Sequence, residues 1–260
     1  MSGAAVELSW QAGLAVVTFD SPPLNLFDEA LGTALDIVVD ELEFSNPRAV
    51  LFRAQGKVFT GSVDVKLFAS PQNAEQALPL LERLLSVTTR IGLLPCPTVF
   101  AAHALTLTWA FETALACDLI IAAEGAKFGL VERRVGLSPT MGGPQRLAER
   151  AGSARAKEIV MTGELYPAQV LERWNIVNRV LPVAGFDRAV RAFAQDLADG
   201  PTLAHMATKR LVRQTVEGSV EEANGQVLET IGPLFDSEDL KAAVQAFLTT
   251  GPQSATFEGR

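Results

Sequence analysis

Two glutamates twenty residues apart, Glu112 and Glu132, are the residues of this chain best placed to do chemistry. Glu112 lies in PTVFAAHALTLTWAFETALACDLIIAA, which reads as an apolar strand, a turn, a helix start and a second apolar strand. Glu132 lies in AKFGLVERRVGLSPTMGGPQRLAERAG, a short strand and a Gly/Pro-rich turn running into a helix. Two carboxyl groups held over one pocket perform acid and base chemistry at neutral pH when their surroundings split their pKa values. Blander roles stand beside this one. Glu112 also suits the first turn of a helix, where the macrodipole favours a carboxylate. Glu132, followed by Arg133 and Arg134, also suits a surface ion pair.

The elements that must position the pair follow from periodicity. AVELSWQAGLAVVTFD reads as a hairpin turning at Gln11–Gly13. A Pro-rich loop precedes a helix from about Asp28, in which Leu31, Leu35, Val38, Val39 and Leu42 recur at helical spacing. Residues 48–54 form a buried strand and residues 73–92 a helix interrupted at Pro79. Strands over 97–103 and 118–123 flank a helix starting near Trp109. Helices follow over 141–150, 153–162 and 166–171, then a strand in NIVNRVLP. From Gly185 onward nearly everything is helical, with a loose tail around 251–260. Strands alternating with helices predict a mostly parallel sheet covered by crossovers.

Composition excludes several classes. The chain has 260 residues, 48% hydrophobic and 20% charged, enough for a substantial core. A net charge of −8 argues against a nucleic-acid partner. No apolar stretch reaches membrane-spanning length, and the N-terminus lacks the features of a signal peptide, so a cytoplasmic protein is expected. Two cysteines, Cys96 and Cys117, read as buried thiols. With two histidines, His103 and His205, they make no convincing metal set. His103 and Asp118 read as structural, hydrogen-bonded groups rather than additional catalysts.

Five ordered segments then make the chain similar to a known family. These are FDSPPLNLFDEAL, VLFRAQGKVFTGSVDVKLF, the two glutamate segments with their Cys-Asp and Gly-Leu-x-Pro-x-x-Gly-Gly-x-x-Arg-Leu endings, and AFLTTGPQSATFEG. Their order and spacing resemble the crotonase, or enoyl-CoA hydratase/isomerase, superfamily over nearly the full length. The resemblance implies an α/β fold, a crotonase-like spiral of ββα units with a C-terminal all-helical oligomerisation region. Residues 1–198 would form the core for acyl-CoA binding and catalysis. Residues 199–260 would pack trimers, alone or paired into hexamers, and cover the active site.

The same resemblance implies hydration of a 2-enoyl-CoA, with no metal and no cofactor beyond the CoA of the substrate. Glu112 would activate the water and Glu132 would protonate the α-carbon. The backbone N–H groups of Val63 and Trp109 would form the oxyanion hole for the thioester enolate. Leu24, Asn25, Leu26, Asp64, Val65, Lys66 and Phe257 would contact CoA or substrate, with Lys66 and Arg53 near its phosphates. Isomerisation and a non-catalytic acyl-CoA-binding role are the alternatives. The chain departs from the family where glycines are usual: Thr108-Trp109-Ala110 replaces Gly-Gly-Gly and Gly61-Ser62 replaces Ala-Gly. Trp109 is then either a wall of the acyl pocket or part of the core.

Overall fold

The computed structural model describes residues 4–251 and 255–260. Residues 1–3, part of the segment that does not read as a signal peptide, and residues 252–254, within the expected loose tail, lie outside the described residues. Nine strands and ten α-helices occur in the order β1 (Val6–Gln11), β2 (Leu14–Phe19), α1 (Glu29–Ser45), β3 (Ala49–Ala54), α2 (Ala74–Leu93), β4 (Thr98–Ala102), β5 (Thr106–Leu107), α3 (Thr108–Ala116), β6 (Leu119–Ala123), β7 (Lys127–Gly129), α4 (Gly143–Thr162), β8 (Tyr166–Pro167), α5 (Ala168–Arg173), β9 (Arg179–Leu181), α6 (Phe186–Asp199), α7 (Thr202–Glu217), α8 (Val220–Gly225), α9 (Val227–Ile231) and α10 (Glu238–Thr250) among the described residues. Short 3-10 turns at Val65–Phe68, Glu132–Val135 and Gly232–Asp236 complete them.

The main sheet has the order β1-β2-β3-β4-β6-β9. Only the β1–β2 hairpin is antiparallel. A parallel sheet needs both faces covered, so its strands read as near-continuous apolar runs. LAVVTF in β2 is buried at every position. Successive side chains alternate between the two faces. Val17, Phe19, Val50, Phe52, Phe100 and Ile120 pack in the large cluster with α1, α2, α3 and α4. Leu14, Val16, Leu51, Val99 and Ile121 form the opposite layer with Phe186, Val190 and Ala194 of α6. The α/β core with a helical C-terminal region is therefore the fold the resemblance implied.

Local chemistry sets the helix starts. The Asp28 carboxylate accepts from Leu31 N at 2.8 Å and the Asn73 side chain from Gln76 N at 3.0 Å, capping α1 and α2. The expected interruption at Pro79 does not occur, and α2 runs through it from Ala74 to Leu93. The two helices expected over 141–162 form one element broken at Gly152, whose φ of 82° and ψ of 159° are non-helical. The segment from Tyr166 opens as strand β8, paired with β7, before α5 begins.

The C-terminal end is tied down rather than loose. The buried Asp239 carboxylate accepts from Glu258 N at 2.7 Å and Gly259 N at 2.9 Å, and Asp239 N donates to Arg260 O at 3.0 Å. No helix among the described residues is long and apolar enough to cross a membrane.

Candidate active site

Glu112 sits on α3, a nine-residue helix buried along its whole length. A helix apolar all round belongs inside a core, and a carboxyl group carried there needs partners. Glu112 is 2% exposed. Its Oε1 accepts from Met141 N at 2.9 Å and from Gly143 N at 2.8 Å, where the turn enters α4. Gly142 has φ 87°, a conformation that glycine adopts without strain. A Cβ on Gly143 would stand 2.9 Å from both Cγ and Oε1 of Glu112. The turn through Gly142 thus aims the Met141 and Gly143 amides at one carboxyl oxygen, and Gly143 leaves room for it.

Glu132 opens the 3-10 turn Glu132–Val135. No ion pair involves it among the described residues, and Arg133 instead donates to Thr162 O at 2.7 Å. Glu132 Oε2 is buried without a hydrogen-bond partner. Burial pushes the Glu132 carboxyl up to about 7. Burial, then the charge of Glu132, push Glu112 up to about 8 against the two amides. The charge of Glu132 thus reaches Glu112, and both carboxyls are held well above the usual carboxylate range, mainly by burial.

Arg146, which the sequence reading passed over, donates to Met141 O at 2.8 Å and braces the turn that holds Glu112. Its signal was the Arg of the Gly-Gly-x-x-Arg motif, four residues along the helix from Gly142.

The loops expected to bear the oxyanion donors lie against each other. Phe27 and Val63 form an isolated parallel bridge, as do Thr60 and Thr106. The Phe27–Val63 bridge uses Phe27 N to Ser62 O at 3.1 Å and Asp64 N to Phe27 O at 2.9 Å, so the Val63 N–H takes no part in it. Trp109 is the second residue of α3, in the first turn, where helix N–H groups lack intrahelical acceptors.

The glycine-type backbone falls on its neighbours. Thr108 has φ 46° and Ser62 φ 151°. The Trp109 side chain is 1% exposed and packs against Phe19, Phe27 and Phe59, with ring centroids 5.0, 5.6 and 6.3 Å away. Of its two readings, core is the one found.

The remaining expected residues divide by exposure. Leu24, Val65 and Lys66 are exposed, while Leu26, Asp64 and Phe257 are half-buried. Asn25 is buried, and its side chain accepts from Ser21 N at 2.7 Å and donates to Gln55 O and Phe59 O at 3.0 and 2.9 Å. Arg53 is paired with Asp187 at 2.9 Å. An open cleft of 650 Å³ is lined by Asp64, Lys66, Leu67, Leu80 and Arg83 among others. Neither glutamate lines this cleft.

The expected structural roles elsewhere hold. Asp118 accepts from Thr98 N and Thr98 Oγ1, both at 2.8 Å, and from Lys209 at 2.9 Å. His103 Nε2 lies 3.1 Å from Gly56 O, and burial lowers its pKa. Cys96 and Cys117 are free, and burial pushes both up to about 12. Among the described residues, no group of three His, Cys, Asp or Glu residues is arranged to hold a metal ion.

A buried carboxyl and a half-buried one, both raised into the neutral range on a mostly parallel α/β core, form an arrangement able to give and take protons. The family model for enoyl-CoA hydratase/isomerase matches residues 9–259, and the chain belongs to that family. It is similar to a protein called "Probable enoyl-CoA hydratase" of Bacillus subtilis, with 29% identity over 246 residues, covering 94% of this chain and 95% of that one. It is also similar to the carnitinyl-CoA dehydratase of Salmonella typhi, at 31% identity, with 94% and 95% covered. The solved enoyl-CoA hydratase structure of Mycobacterium smegmatis superposes with a TM-score of 0.87 at 26% identity, over 94% of this chain and 96% of that one.

Proposed function

We propose that the protein is an enoyl-CoA hydratase, adding water across the 2,3 double bond of a 2-enoyl-CoA thioester. The observation that carries this reading is the Glu112–Glu132 pair, Glu112 buried, Glu132 half-buried with its Oε2 shielded from solvent, and both raised into the neutral range. Hydration needs one carboxylate to take a proton from water as it attacks the β-carbon. It also needs one carboxylic acid to protonate the α-carbon. A pair raised into the neutral range supplies both when one member is ionised and the other protonated.

Glu112 activates the water and Glu132 delivers the α-proton. The two amides on Glu112 Oε1 support this order, because N–H donors favour the carboxylate form. The deeper burial of Glu112 opposes it and places its pKa above that of Glu132 in the free protein. A thioester closing over Glu132 desolvates that group further and favours its protonated form. The Val63 and Trp109 amides stabilise the enolate oxygen, without reorganisation because both are fixed backbone groups. CoA lies along Leu24–Leu26 and Val63–Lys66, with Lys66 near its phosphates and Phe257 beside the nucleotide.

The division into a core over 1–198 and a C-terminal region over 199–260 belongs to the same reading. Leu228, Phe235, Phe247 and Leu248 of that region are each at least 60% exposed, which supports assembly into a trimer or a pair of trimers.

The test is hydration of crotonyl-CoA and a longer 2-enoyl-CoA, followed by loss of the conjugated thioester absorbance. Turnover of either supports the reading. Isomerisation of a 3-enoyl-CoA without hydration, or acyl-CoA binding with no turnover, replaces it.

A further inference from the structure

The glycine usual at position 109 has no side chain, whereas here an indole reaches across to the other oxyanion loop. Trp109 Nε1–H donates to Thr60 Oγ1 at 2.9 Å. Ser62 N–H donates to the same oxygen at 3.1 Å, and the hydroxyl proton goes to Asn25 O at 2.7 Å. Ser62 O, 3.1 Å away, is a second, longer acceptor for that proton; a threonine hydroxyl has two acceptor positions and one proton, so the indole and the Ser62 amide fill its acceptor side while the proton is held by Asn25 O and Ser62 O. The Asn25 segment, the 60–63 loop and the start of α3 thus meet at one buried atom; Thr60 is 0% exposed.

We propose that Trp109 and Thr60 are positioning residues, the Trp109–Thr60 bond fixing the spacing between the Val63 and Trp109 amides of the oxyanion hole. Trp109 supplies one donor from its backbone and, through its side chain, is bolted to the residue that holds the Ser62 amide, one peptide from Val63. Ser62 and Thr108, which flank the two donors, stand at φ 151° and 46°, conformations that a non-glycine residue keeps only when its surroundings hold it there. The bolt and the aromatic cage of Phe19, Phe27 and Phe59 supply that restraint. The inference rests on the oxyanion-hole part of the proposed function and adds a restraint that a glycine turn lacks.

Trp109→Phe and Thr60→Val each remove the bond and keep apolar volume, while Thr60→Ser keeps the hydroxyl. Loosening one donor, rather than deleting it, is expected to lower the kcat of hydration by about 10-fold with KM changed less than about 2-fold. Thr60→Ser is expected to stay within about 2-fold of wild type. The carbonyl stretching band of bound butanoyl-CoA, a saturated thioester that cannot be hydrated, reports the hole independently of turnover. It should shift less from its free position in Trp109→Phe and Thr60→Val than in wild type. If Trp109→Phe does not fold, the Thr60 pair carries the same comparison. Wild-type kcat together with an unchanged band in Thr60→Val overturns the inference. A band that moves in the variants while wild type hydrates nothing upholds the inference and refutes the hydratase reading alone.

Discussion

Gly143 donates its amide to Glu112 Oε1 at 2.8 Å and leaves no room for a side chain of its own, since a Cβ would lie 2.9 Å from that oxygen. The same position orients the carboxyl and limits what can stand beside it. Leu130, 3.2 Å from the same Cβ position, closes the other side. Gly143→Ala must therefore displace Glu112. Its hydratase kcat is expected to fall by about 100-fold, because a catalytic group misplaced by about 1 Å costs that much. KM should change little, which steady-state kinetics checks.

The pH dependence follows from the pair. Below about 7 both carboxyls are protonated and no base remains; above about 8 both are ionised and no acid remains. The kcat/KM profile of the free enzyme is expected to be a narrow bell centred between these values. Glu132→Gln should remove one limb, leaving a low activity governed by a single ionisation. A profile flat from pH 5 to about 9 contradicts this.

Stability carries the opposite sign from that of an ordinary salt-bridged carboxylate. Both folded-state pKa values lie above the unfolded value, so between about 4.5 and 8 the native protein binds more protons than the unfolded chain. Stability must then fall as pH rises through that window. Glu112→Gln keeps an oxygen for the two amides and removes the ionisation. Its Tm is expected to exceed that of wild type by roughly 5 °C at pH 8, with the gain vanishing near pH 4.5. Calorimetric scans across the range read this directly.

Thr108 is a β-branched residue at φ 46°, and its hydroxyl is buried without a partner. Both features are costly, by about 1 to 3 kcal/mol each. Thr108→Gly relieves them against the chain entropy that glycine adds. A net gain of about 1 kcal/mol in denaturant unfolding is expected. A loss shows that the surroundings offset the strain more fully than the contacts indicate.

Asn25 has the reverse character. It sits at φ 48°, which asparagine tolerates, and its buried side chain accepts from the Ser21 amide and donates to the Gln55 carbonyl and the buried Phe59 carbonyl. Asn25→Ala is expected to destabilise the protein by about 3 kcal/mol, with kcat falling as the Thr60 hub loosens.

How legible all this was in the sequence varies by residue. The sheet was readable because its strands appear as short apolar segments between helical ones: AVELSWQAGLAVVTFD as a hairpin and residues 48–54 as a buried strand. The helix starts near Asp28 and Asn73 were readable from helical periodicity, and the structure adds the side-chain caps that fix them. The glutamates were readable through the motifs around them, which also mark the Gly-Gly turn. What failed were features decided by tertiary contacts. Pro79 lies within an unbroken helix that periodicity alone split. The tail was expected to be loose until Asp239, distant in sequence, was seen to hold it.

The direction of the Trp109 side chain was equally out of reach, because pocket and core are both apolar. A buried indole N–H does require an acceptor, and the hydroxyls of the 60–63 loop, Thr60 and Ser62, were the available signal.

The measurement that bears most directly on the central claim is crotonyl-CoA hydration by wild type, Glu112→Gln, Glu132→Gln and the double variant, each confirmed folded. The account predicts that wild type hydrates crotonyl-CoA, that each single variant loses at least about 100-fold in kcat, and that the double variant loses little more than the worse single one, because the two carboxyls act as a unit. Hydration at the wild-type rate by both single variants would contradict it.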